Sequence, residues 1–293
     1  MMTKLERGGA LGLTAIKEWN RDRCDGLSSG LSFNLLLAVT PFLAFVLLIA
    51  GKLFGEGWTK SHLVPVLIGW VGPHITAVVR LLLVEREHVE ARSLLSLGVV
   101  GALALVVGAS GYFVQLRDAL QTIWDVRRDP PGFRVQMKRR LFGILIALVS
   151  ALIALAGLTA AALVFASDSA FFGPTRWTAG TLIAFLTFWA LVTFWFKILP
   201  PVRLTWREIV PWAALIALFH LLGKWFVFGG GSGADSSSNV GVAVSLILVM
   251  FWFYYANGIF LYGAELMRIS LQRSGRLARS EPSGEPPRMR IAR

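Results

Sequence analysis

Six stretches of this chain, residues 31–54, 94–116, 141–166, 177–199, 209–228 and 240–267, are long, predominantly apolar and poor in charge. A helix needs about 20 such residues to cross about 30 Å of hydrocarbon, so each is long enough to span a bilayer. Lipid offers no partner to backbone N–H and C=O groups, which leaves helices or closed barrels as the spanning forms. The runs lack the alternation of barrel strands, in segments of about ten residues. The sequence therefore predicts an all-α, polytopic membrane protein, a six-helix transmembrane bundle.

Composition agrees. Of 293 residues, 55% are hydrophobic and 16% charged, where a soluble domain carries about 45–50% and about 25%. That balance excludes an ordinary cytosolic enzyme, and it excludes disorder over most of the length. One cysteine, Cys24, rules out a disulfide framework, a cysteine-based zinc site and a CxxC redox pair.

A seventh stretch, 62–84, carries Pro65, Pro73, His62, His74 and Arg80 and ends in a charged run. Lys and Arg accumulate in cytoplasmic loops. With six spans and the N-terminus inside, 22 of the 29 basic residues fall on the inner side and 6 on the outer. Counting 62–84 as a span would leave 8 inside and place 19 outside. Residues 62–92 are thus expected to form an external re-entrant or amphipathic segment. Residues 1–30 become a cytoplasmic N-terminal segment, 31–267 the membrane domain, and 268–293 a basic, disordered cytoplasmic tail. The net charge of +12 then serves orientation and attraction to anionic headgroups. Spread over several loops, it does not form a nucleic-acid-reading motif.

Within the spans, small residues recur at helical spacing: Ala147, Ser150, Ala154, Gly157 and Ala161 in the third, and Gly98, Gly101, Ala104, Gly108 and Gly111 in the second. Such stripes let helix backbones approach where lipid gives no hydrophobic drive. Pro41 interrupts the backbone ladder of the first span. Ionisable or polar side chains at membrane depth usually face a cavity or a partner. Tyr254, Asn257 and Glu265 share one face of the sixth span and are the candidate buried polar strip. Asn34, Arg117, His220 and Lys224 are the supporting polar residues. Helix direction places Lys224 and Glu265 near opposite poles, so Lys224 is expected to reach toward the outer headgroups. Glu265 is expected to pair with Arg268 or Arg117.

No catalytic constellation emerges. His62, His74 and His88 are external and His220 lies in a span, so no histidine faces the cytoplasm. Glu85, Glu87, His88 and Glu90 are better read as a solvated turn than as zinc ligands. No metal, cofactor or enzymatic activity is expected.

Several stretches carry a resemblance: Leu31-Ser-Phe-Asn-Leu-Leu-Leu-Ala-Val-Thr-Pro41, Gly111-Tyr-Phe-Val-Gln-Leu-Arg-Asp-Ala-Leu-Gln-Thr-Ile-Trp124, Leu199-Pro200 with Trp206 and Pro211, and Gly223-Lys224. The most specific block is Trp252 and Tyr254-Tyr255 followed by Gly263-Ala264-Glu265. The chain resembles the YihY/BrkB family of bacterial inner-membrane proteins, once labelled ribonuclease BN. It departs from the family at Phe33-Asn34, where two tyrosines are usual, and at Val240, which precedes Gly241. The resemblance implies a six-span protein of the cytoplasmic membrane with both termini inside. It also implies association with envelope integrity or serum resistance, with lipid transport proposed for relatives. The expected function is a transporter or lipid-handling protein whose partners are membrane lipids. The alternative is a membrane scaffold working through a protein partner or a second copy. A ribonuclease is the weakest reading, because the inner loops offer mainly Arg and Lys rather than acid–base groups.

Overall fold

The structure, a computed structural model, describes residues 4–71, 91–126, 132–166, 176–229 and 239–276. The described residues are helical, with no strand among them. Helix α1 is Lys4–Arg21 and α2 is Cys24–Phe54. A short turn at Glu56–Trp58 and a π-helical turn at Thr59–Leu63 lead into α3, Val64–Val71. Then follow α4 (Ala91–Ile123), α5 (Phe133–Ala166), α6 (Arg176–Ile198), α7 (Trp206–Gly229) and α8 (Asn239–Arg273). Among the described residues, helices α2, α4, α5, α6, α7 and α8 are the six long and apolar enough to cross a membrane.

These six close into a ring in chain order. Each packs on its neighbours in sequence, and α8 returns to α2. Helix α1 lies across α8 at one end of the ring, its Trp19 ring edge-on to Tyr262. Helix α2 starts at Cys24, seven residues ahead of the hydrophobic run, because Cys24, Ser28 and Leu31 form a buried face there. It stays helical through Pro41.

The ring is packed hard at both ends. At one end Leu31, Leu116, Leu120, Phe196, Ile209, Ile216, Leu261 and Met267 form the main cluster. At the other, Leu43, Val46 and Leu47 of α2 meet Leu63, Val66 and Leu67 of the α3 region and Leu158, Ala161 and Ala162 of α5. Close approach between α2 and α4 depends on Gly108: a Cβ there would stand 2.9 Å from the Ala38 amide nitrogen and 3.1 Å from the Leu37 carbonyl carbon. Both are backbone atoms and cannot swing aside.

The expected external segment 62–92 falls mostly on residues outside those described. Its first ten residues are the end of the π turn and α3, and Leu63, Val66 and Leu67 are buried against the bundle. The first residues of the expected tail, 268–276, are described and largely helical. Helix α8 continues to Arg273, because Arg268 is buried among carboxylates and Arg276 pairs with Glu208 at the start of α7. Residues 277–293 lie outside the described set.

Candidate functional site

A polar seam joins α2 to α8. Cys24, Ser28 and Ser32 stand four residues apart, so they line one face of α2, and all three are buried. The Ser28 hydroxyl donates to the Cys24 carbonyl at 2.8 Å, and Ser32 donates to the Ser28 carbonyl at 2.6 Å. Opposite them α8 presents Glu265, Leu261 and Asn257, again at four-residue steps and all buried. The Cys24 thiol points to Glu265 Oε1 at 4.0 Å. At the other end of the seam Asn257 Nδ2 donates to Ser32 Oγ at 3.3 Å and to the Phe253 carbonyl at 2.9 Å. Its Oδ1 accepts from the Tyr112 hydroxyl at 3.0 Å. Three helices are thereby tied at one amide.

At the other limit of the seam lies a charge cluster. Arg268 is 3% exposed and meets carboxylates from three separate segments. Its Nη1 is 3.8 Å from Glu265 Oε2, 3.8 Å from Asp22 Oδ2 and 3.4 Å from Glu18 Oε2. Its Nη2 donates to Asp125 Oδ2. Arg21, on the exposed side, pairs with Glu18 at 2.7 Å and Asp22 at 2.9 Å. Partial burial opposes the Arg21 charge, but the Asp22, Glu18 and Asp125 carboxylates outweigh it and hold the guanidinium above its ordinary pKa. The cluster clamps α1, the turn after α4 and α8 together.

Between the two packed ends, α2 and α8 are joined by a smaller buried cluster of Val249, Trp252 and Phe253 against Leu35, Leu36 and Val39, and two partly open cavities flank it. One cavity of about 300 Å³ touches all six spans and reaches Tyr112, Thr187, His220, Lys224 and Asn257. A second, of about 360 Å³, lies among α2, α4, α5 and α6, with Ser150 and Tyr112 among otherwise apolar side chains. Leu35, Val39, Tyr112, Ala154, Leu191 and Trp195 wall both, so the two chambers share one partition. The seam ends on this partition, at Tyr112 and Asn257.

A family model described as "Virulence factor BrkB" matches residues 15–290. The chain belongs to the BrkB virulence-factor family. Searches of curated proteins and of solved structures return no match. Membership and the six apolar helices make this BrkB-family chain an integral, multi-pass membrane protein. The motifs that carried the resemblance are buried in part, with Phe33, Leu37, Trp206 and Tyr255 on the outer surface. In the stretch Gly111–Trp124, Tyr112, Leu116, Leu120, Ile123 and Trp124 are buried. Gly223 faces the Tyr255 ring and Gly263 the Ile216 side chain, positions where a Cβ would collide. These two glycines set how closely α7 and α8 approach.

The predicted site residues divide in two. Asn257 and Glu265 lie on the seam. His220 and Lys224 lie on the first cavity, where the His220 ring stacks on Phe188 with centroids 3.9 Å apart and leans on Trp252 at 4.7 Å. The others stand apart. Tyr254 is partly buried and lines neither cavity. Arg117 sits over the Phe142 ring, 5.4 Å from its centroid. Asn34 donates to Gln115 Oε1 at 2.6 Å, where α2 meets α4. Glu85, Glu87, His88 and Glu90 lie outside the described residues, and no group of metal-binding side chains occurs among those described. Sequence reasoning missed Glu18, Asp22 and Asp125, whose partner Arg268 is far away in sequence. It also missed Cys24-x3-Ser28-x3-Ser32, whose four-residue spacing in an otherwise apolar helix was the available signal.

Proposed function

We propose that this chain is a lipid-handling protein of the bacterial cytoplasmic membrane, with both termini in the cytoplasm. It takes the apolar part of an amphiphile into the cavities of its ring and acts by binding and conformational change, without covalent chemistry. The observation that carries this reading is the partitioned cavity. Ligand sites of about 300–1,000 Å³ are mostly apolar with a few placed polar groups. Here nearly all of the lining is hydrocarbon or aromatic, while Tyr112, Thr187, His220, Lys224 and Asn257 gather in one chamber. A hydrophilic solute would need polar partners along its whole surface. An acyl chain needs none, and a headgroup needs a few. The excess of basic residues in the loops assigned to the inner side supports the orientation and a resting affinity for anionic headgroups.

The test uses Ala154, which walls both chambers, and Leu152, which faces outward at 58% exposure. Ala154→Trp fills the partition. Photo-crosslinking with a phospholipid carrying a diazirine in its acyl chain should label residues of the cavity wall in the native protein and lose that labelling in Ala154→Trp, whereas Leu152→Trp should keep it. Equal labelling of the cavity wall in both variants would overturn the reading and favour a scaffold.

A further inference from the structure

The charge cluster contains two buried carboxylates, each with one oxygen that accepts no hydrogen bond, although Asp22 Oδ1 accepts from Arg21 and Glu265 Oε1 faces the Cys24 thiol. Asp22 Oδ2 and Glu265 Oε2 are both buried and accept no hydrogen bond. Each stands 3.8 Å from the same Arg268 Nη1, inside ion-pair range but beyond hydrogen-bond length. The Glu265 residue is fully buried and the Asp22 side chain is 7% exposed. A buried acceptor left without a donor is expensive, and two of them beside one cation are more so.

The charges around the pair do not balance either. Helix α1 contributes Glu18 and Arg21, the turn between α1 and α2 contributes Asp22, the turn after α4 contributes Asp125, and α8 contributes Glu265 and Arg268. Helix α2 adds Cys24, beside Glu265, and Asp25 nearby. Within the ion-paired set, four carboxylates face two guanidiniums. Like charges crowded in a poorly solvated site do not all stay ionised.

We propose that Asp22 and Glu265 bind one proton between them, as a carboxylic acid and carboxylate that share it across the contact between the α1–α2 turn and α8. One O–H bond forms on one carboxyl group. That O–H donates to the facing carboxylate oxygen, and the remaining negative charge rests on Arg268. The proton comes from water on the side where Arg21 and Asp125 are 45% and 42% exposed, and no other reactant is consumed. One proton thus supplies the missing donor and removes one surplus charge. Deprotonation sets two carboxylates against each other across the joint between the α1–α2 turn and α8. The pair sits at the start of the seam that runs through Cys24, Ser28 and Ser32 to Asn257 on the cavity wall, so proton occupancy at one end of the ring is mechanically tied to its cavities.

Infrared difference spectroscopy on the purified full chain in phospholipid nanodiscs tests this. At neutral pH the native protein should show the carbonyl stretch of a protonated carboxyl group, moving on deuterium exchange and vanishing as pH is raised, with one proton released per chain. Asp22→Asn and Glu265→Gln should each abolish the band. Glu208→Gln should keep it, because that carboxylate pairs with Arg276 and Thr205. The titration of the native protein needs no variant to fold. Absence of the band from the native protein at neutral pH, or its persistence in both Asp22→Asn and Glu265→Gln, overturns the proposal.

Discussion

The phenol of Tyr112 donates to the side-chain carbonyl of Asn257 at 3.0 Å, both residues are buried, and both border the cavity. Tyr112→Phe removes the donor and leaves the amide oxygen facing hydrocarbon. Hydrogen bonds between membrane helices are worth about 0.6–2 kcal/mol, so thermal unfolding in detergent should shift down by an amount in that range. Asn257→Ala strands the Tyr112 hydroxyl and also loses the bond to Ser32, and should cost more.

Arg268 is the cation against which three segments are held. Arg268→Met leaves Glu265 and Asp22 buried beside each other without it. Breaking a buried pair by removing one partner costs about 3–5 kcal/mol. Expression in membranes and the unfolding midpoint in detergent should both fall sharply. Adding Glu265→Gln to Arg268→Met should recover part of the loss, because one stranded charge is then gone; a double variant no more stable than the single would contradict this.

Gly108 and Gly26 offer a matched pair. A Cβ at Gly108 meets backbone of α2 at 2.9 Å, while one at Gly26 meets nothing within 4 Å. Gly108→Ala should force α2 and α4 apart and cost about 1–3 kcal/mol. Gly26→Ala should be neutral or stabilising by up to about 1 kcal/mol, since alanine favours the helix. Unfolding midpoints of the two variants, measured side by side, decide it.

Cys24 is the single cysteine and is fully buried. A maleimide should leave it unmodified in intact membranes and modify it fully once the protein is denatured. Arg268→Met, which unties α1 from α8, should speed labelling without denaturant. The readout is the modified mass over time.

The membrane spans were legible because bilayer thickness imposes a length that composition reveals directly. Charge asymmetry along the loops was equally legible, as it depends on counting and not on contacts. Glu265 and Arg268 could be paired because three residues is one helical turn. Asp22, Glu18 and Asp125 could not, because no periodicity links residues 18, 22, 125 and 268. The first thirty residues read only as an N-terminal segment before the first span, yet Lys4–Arg21 forms a helix with Ala15 buried and Trp19 packed on Tyr262. Its apolar face is too narrow to register as a span. Arg117 fell at the right height to meet Glu265, but height along a helix does not fix rotation about it, and its side chain turns to Phe142 instead.

A bundle packed at both rims, with two cavities between them, has an uneven mechanical character. Voids vanish when a chain unfolds, so the unfolding volume change scales with them. Compression of this bundle should therefore be taken up first between the two packed clusters, where its cavities lie. On the proposed lipid-handling role, lateral pressure from surrounding chains should narrow that middle zone before it disturbs either rim.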